Sequence, residues 1–206
     1  MKIWEKSVCL ALIVSVLFSF TGFAMECEDI PSRILRLHVL ANSDSKQDQA
    51  LKLKVRDRVL QVSAGMLDGV KTRDAAEKAV SSRLGEIRQA AQDEVYRQGY
   101  RYPVRVEMTN MYFSTRQYGN ITLPAGMYDA LRVTVGSGKG HNWWCVLFPA
   151  LCLPAAEAPS SLQDVLNRSE MRLVSGNGGY VVKFKSVELY EQFRGWLREH
   201  GIFACC

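Results

Sequence analysis

The chain has 206 residues, of which 48% are hydrophobic and 23% charged, and its formal net charge is +5. This length and balance are typical of one globular domain and exclude a chain that is disordered throughout. The mild positive charge would attract anionic head groups or acidic wall polymers only weakly. No basic run alternates with aromatic residues as in a nucleic-acid-binding surface, so nucleic acid is not expected as a partner.

The first 24 residues have the pattern of an export signal. Two lysines precede an apolar stretch, residues 8–20, that is short for a membrane-spanning helix. Gly22 and Ala24 are small residues at the positions that a signal peptidase prefers. We therefore expect residues 1–24 to be a signal peptide or, if uncleaved, an N-terminal membrane anchor, and the protein to be exported.

A strand is predicted over residues 33–40, where apolar and polar side chains alternate. Leu35, Leu37 and Val39 would face the core, whereas His38 would be partly exposed on the opposite face together with the arginine before Leu37. The strand is expected to open the folded domain.

An amphipathic helix follows this strand. Asn42, Ser43 and Asp44 are all suitable N-caps, and Asp48 would support the first turn. Apolar residues then recur at helical spacing, namely Leu51, Val55, Val59, Val62 and Met66. The start of the helix superficially resembles a calcium loop but lacks the required glycine and glutamate, so no metal is expected there.

A second helix is predicted from Thr72 to Gly99, with a threonine cap at its start and glycine as its C-terminal stop. Strands follow over residues 103–108 and 127–136, each with alternate apolar residues on one face and with glycine-containing turns between them. Gly136–Gly140 resembles a phosphate-binding loop only faintly, and a turn is predicted.

The last part of the chain has weaker patterns. Residues 153–179 contain prolines, paired serines and several glycines, which predict a long flexible stretch with one short helix near 162–166. A strand is expected over 180–185 and a final helix over 186–199. Because strands joined by tight turns pair antiparallel, we predict an α+β fold: a mainly antiparallel sheet with helices packed on one face, in one domain spanning residues 33–200.

The stretch from Gly138 to Cys152, GKGHNWWCVLFPALC, allows several chemistries. His141 and Cys145 would form a thiolate–imidazolium pair only in a helix, because a strand separates such residues by about 13 Å. A zinc site needs four ligands within tetrahedral reach. Cys145 and Cys152 flank a proline-containing loop, and an exported chain can keep a disulfide there. We predict the disulfide, leave a catalytic cysteine as the alternative, and leave the pairing of the remaining cysteines open.

Trp143 and Trp144 would point to opposite faces of a strand, so one can enter the core while the other stays near the surface. A rigid aromatic side chain at the surface is a good interface anchor. Burial or partial burial of both rings by packing is the alternative interpretation.

Two sequence blocks resemble the stage II sporulation protein R family of endospore-forming bacteria. They are Leu35–Asp57, LRLHVLANSDSKQDQALKLKVRD, and Gln117–Cys152, which contains the unusual core NWWCVLFP. The family pattern usually continues with a second proline where this chain has Ala150. The resemblance implies an exported forespore signalling protein in the space between forespore and mother cell. It would activate a membrane-embedded aspartic protease that processes the mother-cell pro-sigma-E factor, and would not itself be an enzyme. The residues themselves predict no cofactor or metal.

On this interpretation two segments form the partner-binding surface. The residues proposed for it are Asn142, Trp143, Trp144 and Phe148 in one segment and Asn42, Asp44 and Asp48 in the other. A secreted cysteine-dependent hydrolase acting on cell wall or peptide remains the alternative, and an anchored structural protein of the septal envelope is a third hypothesis.

Overall fold

The computed structural model describes residues 29–119, 121–150, 162 and 165–175, together with three single positions near the N-terminus. Residues 29–33 are helical. The elements that follow are β1 (Leu35–Leu40), α1 (Lys46–Leu67), α2 (Arg73–Ser81), α3 (Leu84–Arg97), β2 (Val104–Phe113), β3 (Arg116–Tyr118), β4 (Ile121–Leu123), β5 (Gly126–Val135), β6 (Asn142–Phe148) and α4 (Arg168–Val174).

Four strands form one sheet in the order β2-β5-β1-β6, and β3 and β4 form a separate hairpin. The central strand β1 pairs in parallel with β5 and antiparallel with β6, while β2 pairs antiparallel with β5. A parallel pair needs a long crossover, and the helical region between β1 and β2 belongs to it. The predicted α+β fold with a mostly antiparallel sheet is therefore confirmed, with one parallel pair that makes the sheet mixed.

Helices α1, α2 and α3 cover one face of the sheet. Leu37 and Val39 of β1 and Leu131 and Val133 of β5 are fully buried there, as the alternation predicted. From α1 the buried stripe contributes Leu51, Val55, Val59 and Met66. The prediction for Val62 was wrong in part, because the fully buried position on that turn is Ser63 and Val62 is only partly buried.

The opposite face of the sheet has a second, smaller core. The hairpin, residues 29–34 and α4 supply it, with Ile34, Phe113, Tyr128 and Val146 among its buried members. Helical segments therefore lie on both faces, which corrects the expectation of helices on one face only.

Helix α1 begins after the three residues that the sequence offered as its N-cap. Ser45 is the N-cap, and its hydroxyl accepts a hydrogen bond from the Asp48 backbone at 3.1 Å. Asn42, Ser43 and Asp44 precede it and take part in a loop contact instead.

The long second helix predicted from Thr72 to Gly99 is divided into α2 and α3. Thr72 caps the start as expected, and Gly99, with a φ of 82°, ends the pair. The break follows Ser82, whose hydroxyl bonds to the Ala79 carbonyl at 3.0 Å. Serine side chains compete in this way with the regular helical pattern.

Helix α4 lies within the stretch predicted to be a flexible loop. Its N-cap, Asn167, forms a capping box with Glu170, and Arg33 bonds to the buried Glu170 carboxylate at 2.8 Å. The predicted C-terminal strand and final helix lie outside the described residues, as does the predicted export signal apart from residues 4, 11 and 15. None of the helices in the described part of the chain has the length and apolar character that crossing a bilayer requires.

Candidate functional site

Two loops that are far apart in sequence bond to each other at one end of the sheet. We call residues 41–45 and 136–141 the loop pair. Asn42 Oδ1 accepts a hydrogen bond from the Ser137 backbone at 2.9 Å, and the Ser137 hydroxyl donates to the Asn42 carbonyl at 2.6 Å. The Gly140 backbone donates to the Ala41 carbonyl at 3.0 Å. Backbone and side-chain bonds together fix the two loops in one arrangement.

The close approach of the loop pair depends on glycine. A Cβ added at Gly136 would lie 2.3 Å from Asn42 Oδ1, and one added at Gly140 would lie 2.2 Å from the Ser43 carbonyl oxygen. Gly136 also has a φ of 59°, in the left-handed region that favours glycine. The predicted turn is thus a glycine-rich loop that fits directly against Asn42 and Ser43.

Asp48 supports the loop pair from beneath. Its carboxylate accepts hydrogen bonds from Asn42 Nδ2 at 2.9 Å and from the Ser43 hydroxyl at 2.6 Å. Burial alone would raise the pKa of Asp48, but the bonds from Ser43 and Asn42 outweigh burial and hold that pKa below its ordinary value. With 4% of its surface exposed, Asp48 orients Asn42 and Ser43 from the interior.

Lys52 joins helix α1 to the second loop, residues 136–141. It is buried, and Nζ donates to Gln49 Oε1 at 2.6 Å and to the His141 carbonyl at 3.0 Å. Burial lowers the pKa of Lys52. Its ammonium group therefore holds the end of the loop against α1.

Asp44 and His141 form an exposed pair on the outer surface of the loops. The carboxylate of Asp44 bonds to both the backbone and the Nδ1 atom of His141. The side-chain bond from His141 is the main reason that the pKa of Asp44 is lowered. Asp44 and the neighbouring Asn142 are exposed, so both are accessible to a partner.

Trp143 and Trp144 point to opposite faces of the sheet, as alternation predicted. Trp143 packs on the helical side, where the Arg56 guanidinium lies 4.2 Å from its ring centroid. Trp144 lies on the other side, stacked on His38 with centroids 3.8 Å apart. Both rings are half-buried, and Phe148 is buried in the helical-side core.

The prediction that His38 is partly exposed was wrong. Only 3% of its surface is exposed, because Trp144 stacks on it and Phe113 packs against its edge. Burial lowers the pKa of His38 to about 4. His38 is therefore neutral at physiological pH.

Arg36 is also fully buried on this face, in an aromatic cluster. Its guanidinium lies 4.4 Å from the Phe113 ring and 4.9 Å from the Tyr128 ring. It donates to the Tyr118 hydroxyl at 2.7 Å and to the Cys145 carbonyl at 3.2 Å. Burial lowers the pKa of Arg36 and raises that of Tyr118. Sequence alternation did not identify this cluster, because Tyr118 reaches Arg36 only through the hairpin.

The geometry around Cys145 gives little support to a nucleophilic thiol. Cys145 is 2% exposed, and its predicted disulfide partner, Cys152, lies outside the described residues, so that pairing stays a prediction. His141 bonds to Asp44 at the surface. Among the described residues, no cluster of histidine, cysteine and acidic side chains is suited to hold a metal ion.

The fold and these contacts define a class. It is an α+β protein in which two hydrogen-bonded loops and the start of β6 form a polar surface. The chain belongs to the stage II sporulation protein R family, whose model matches residues 31–158. The matched region contains both loops and the whole four-stranded sheet. The family membership predicted from the two sequence blocks is confirmed.

A curated relative, stage II sporulation protein R of Bacillus subtilis (strain 168), is 41% identical over 123 residues. The match covers 60% of this chain and 55% of the relative, so the chain spans little more than half the length of that protein. No solved structure matches the chain.

Proposed function

We propose that this protein is an exported sporulation signal that activates a membrane-embedded aspartic protease across the septum. The protease then processes the mother-cell pro-sigma-E factor. Family membership supports a role in sporulation. The observation that carries the proposal is the loop pair, in which the two blocks of family-like sequence meet at a single surface.

A preformed surface suits an activator. Since the loops are already fixed by bonds between Asn42 and Ser137 and from beneath by Asp48, little conformational entropy is lost when a partner binds. The exposed Asp44 and Asn142 then supply polar contacts, and the half-buried Trp144 supplies an aromatic anchor.

The proposed location is the space between forespore and mother cell, outside the cytoplasm. The disulfide predicted for Cys145 fits this location, because such bonds persist in oxidising compartments and are rare in the cytosol. If the N-terminal segment is not removed, the protein acts while tethered to the membrane.

The test is reconstitution of the cleavage reaction. The full chain is co-produced with the candidate protease and its sigma-factor precursor, and the processed product is quantified. We expect cleavage to depend on this protein and to fall at least about tenfold in a D44A/N142A double variant, since both residues are exposed interface candidates. The exposed Arg88→Ala change on α3 is the matched control.

Equal export of all variants must accompany that result. Cleavage in the absence of this protein would refute the activator role. Unchanged cleavage with the double variant would refute the assignment of that role to the loop pair. The cysteine-dependent hydrolase is tested separately by labelling the exported protein with a thiol reagent, where rapid modification of Cys145 would favour it.

A further inference from the structure

Part of the second sheet face is not covered by the hairpin, and its residues form one row across all four strands. Glu107 of β2 is opposite Arg132 of β5, Arg132 is opposite His38 of β1, and His38 is opposite Trp144 of β6. Glu107 is exposed, and Arg132 and Trp144 are partly exposed.

A second row lies beside this one on the same face of the sheet. It ends in Arg105 on β2 and Asn142 on β6, both exposed. We call these two rows, with Arg116 beside them, the open face.

The open face is positively charged. Arg105, Arg116 and Arg132 border it, whereas Glu107 is the acidic residue in its two rows and already bonds to Arg132 at 2.7 Å. Arg36 lies buried in the adjoining row, and among the described residues no carboxylate forms an ion pair with it. One of its nitrogens, Nη1, is buried without a hydrogen-bond partner. Among the described residues, the positive charge of this region is therefore largely uncompensated.

Trp144 provides a fixed apolar contact in the middle of this charge. Its ring is held flat against His38 and edge-on to Phe113, with centroids 4.8 Å apart in the second pair. The Arg116 guanidinium lies 5.7 Å from the same ring. Because stacking immobilises the ring, a partner loses little entropy in contacting its exposed part.

We propose that the open face binds an extended acidic segment of a protein partner. Carboxylates of that segment would pair with Arg105, Arg116 and Arg132, and an apolar or aromatic side chain would pack on Trp144. The inference rests on the proposed function in one respect, that this protein acts by recognising another. It adds the chemistry of the partner and extends the contact surface from the loop pair onto the sheet.

A protein segment fits the open face better than a lipid surface does. Membrane-surface binding requires apolar side chains that project outward from the basic patch. On the described strands, the exposed large apolar side chains are Tyr112 and Met127, which face each other across β2 and β5. Strand alternation places that pair on the opposite sheet face from Arg132 and Trp144.

The test is direct binding by the full exported chain. The probe is a fluorescein-labelled decapeptide of eight glutamates with two central tyrosines, and its anisotropy is compared with that of the matching glutamine peptide. We expect the acidic peptide to bind at low salt and to be released at high salt, because exposed charge pairs are screened. R105E/R116E should weaken its binding at least about tenfold, and E107Q should tighten it about twofold.

The control is R88E/R97E, which makes the same charge change on α3, away from the open face. Unchanged circular dichroism shows that each variant is folded. Equal binding of the two peptides, or equal loss in the control, would overturn the proposal. Binding to phosphatidylglycerol vesicles without binding to the acidic peptide would also overturn it and would identify a membrane surface.

Neither protease nor sigma-factor precursor is needed in this measurement. If the peptide does not bind but cleavage in reconstitution is intact, the open face is not a binding site for an acidic segment, and the activator role is unaffected. If the peptide binds but cleavage does not depend on this protein, only the activator role is refuted.

Discussion

The indole of Trp144 lies parallel to the imidazole of His38, with 5° between the planes and 3.8 Å between the centroids. The two residues are opposite each other in the register of β1 and β6, and both side chains lie on the second face of the sheet. Trp144 is thereby tied to the buried interior, while part of its ring remains accessible. A change at His38 should therefore affect both stability and the surface.

Stability should depend on pH through His38. Its pKa in the folded protein is about 4, below the ordinary value of 6.5, so the unfolded chain takes up a proton first as pH falls. The stabilisation is fully present above pH 6.5 and is lost progressively toward pH 4, by on the order of 3 kcal/mol in total. Urea unfolding of the wild type and of His38→Phe across this range measures it. An equally steep decline in the variant would contradict the assignment to His38.

Removal of the Tyr118 hydroxyl should destabilise the aromatic cluster around Arg36. Tyr118→Phe keeps the ring but leaves a buried guanidinium nitrogen without its acceptor at 2.7 Å. We expect a loss of about 1–3 kcal/mol in the free energy of unfolding, as for other buried charged donors that lose a partner. Tyr96→Phe, at an exposed tyrosine on α3, is the control and should be nearly neutral. Equal effects of the two changes would show that the bond to Arg36 is not important for stability.

Gly140→Ala should separate the loop pair. The added methyl group would lie 2.2 Å from the Ser43 carbonyl oxygen, and the backbone has to move to admit it. We expect a loss of about 1–3 kcal/mol, measured by thermal unfolding, together with reduced cleavage in reconstitution. Gly65→Ala is the matched control, because a Cβ there meets no atom within 4 Å and alanine favours the helix. If Gly140→Ala is as stable as that control, Gly140 and Ser43 do not make this close contact.

The predicted Cys145–Cys152 bridge should be detectable by mass mapping. Digestion of the purified protein without reductant should yield one peptide that contains both cysteines in linked form. In the chain-entropy model, closing this short loop stabilises the fold by roughly 2.5 kcal/mol, which a C145S/C152S variant should lose. Recovery of both residues as unmodified thiols would refute the bridge.

The spacing of apolar residues correctly predicted which side chains of the regular strands and of helix α1 are buried. The alternation of β1 and β5, the buried stripe of α1 and the opposite orientation of Trp143 and Trp144 all follow from repeat lengths of 2 and 3.6 residues. For the site, the turn near Gly136 and the candidate Asn42 were also recognisable. Their mutual bonds were not, because nothing in a local pattern shows which two loops meet.

The errors arise where distant segments determine the environment. His38 and Arg36 have the alternation of a solvated strand face, but the hairpin and β6 bring aromatic rings over them. By contrast, α4 had a local signal that could have been used. Asn167 followed three residues later by Glu170 is a helix-start pattern, and the structure has the corresponding capping box.

The position of β1 at the centre of the sheet has a consequence for biosynthesis. Both of its neighbours, β5 and β6, are encoded much later in the chain, after the helices and β2. Contacts of such high sequence separation form slowly, because a long loop must close before any pairing energy is gained. The nascent polypeptide therefore carries β1 without either of its partner strands while residues 41–125 are synthesised, and a holdase chaperone that shields Leu35–Leu40 during that interval would raise the yield of folded protein.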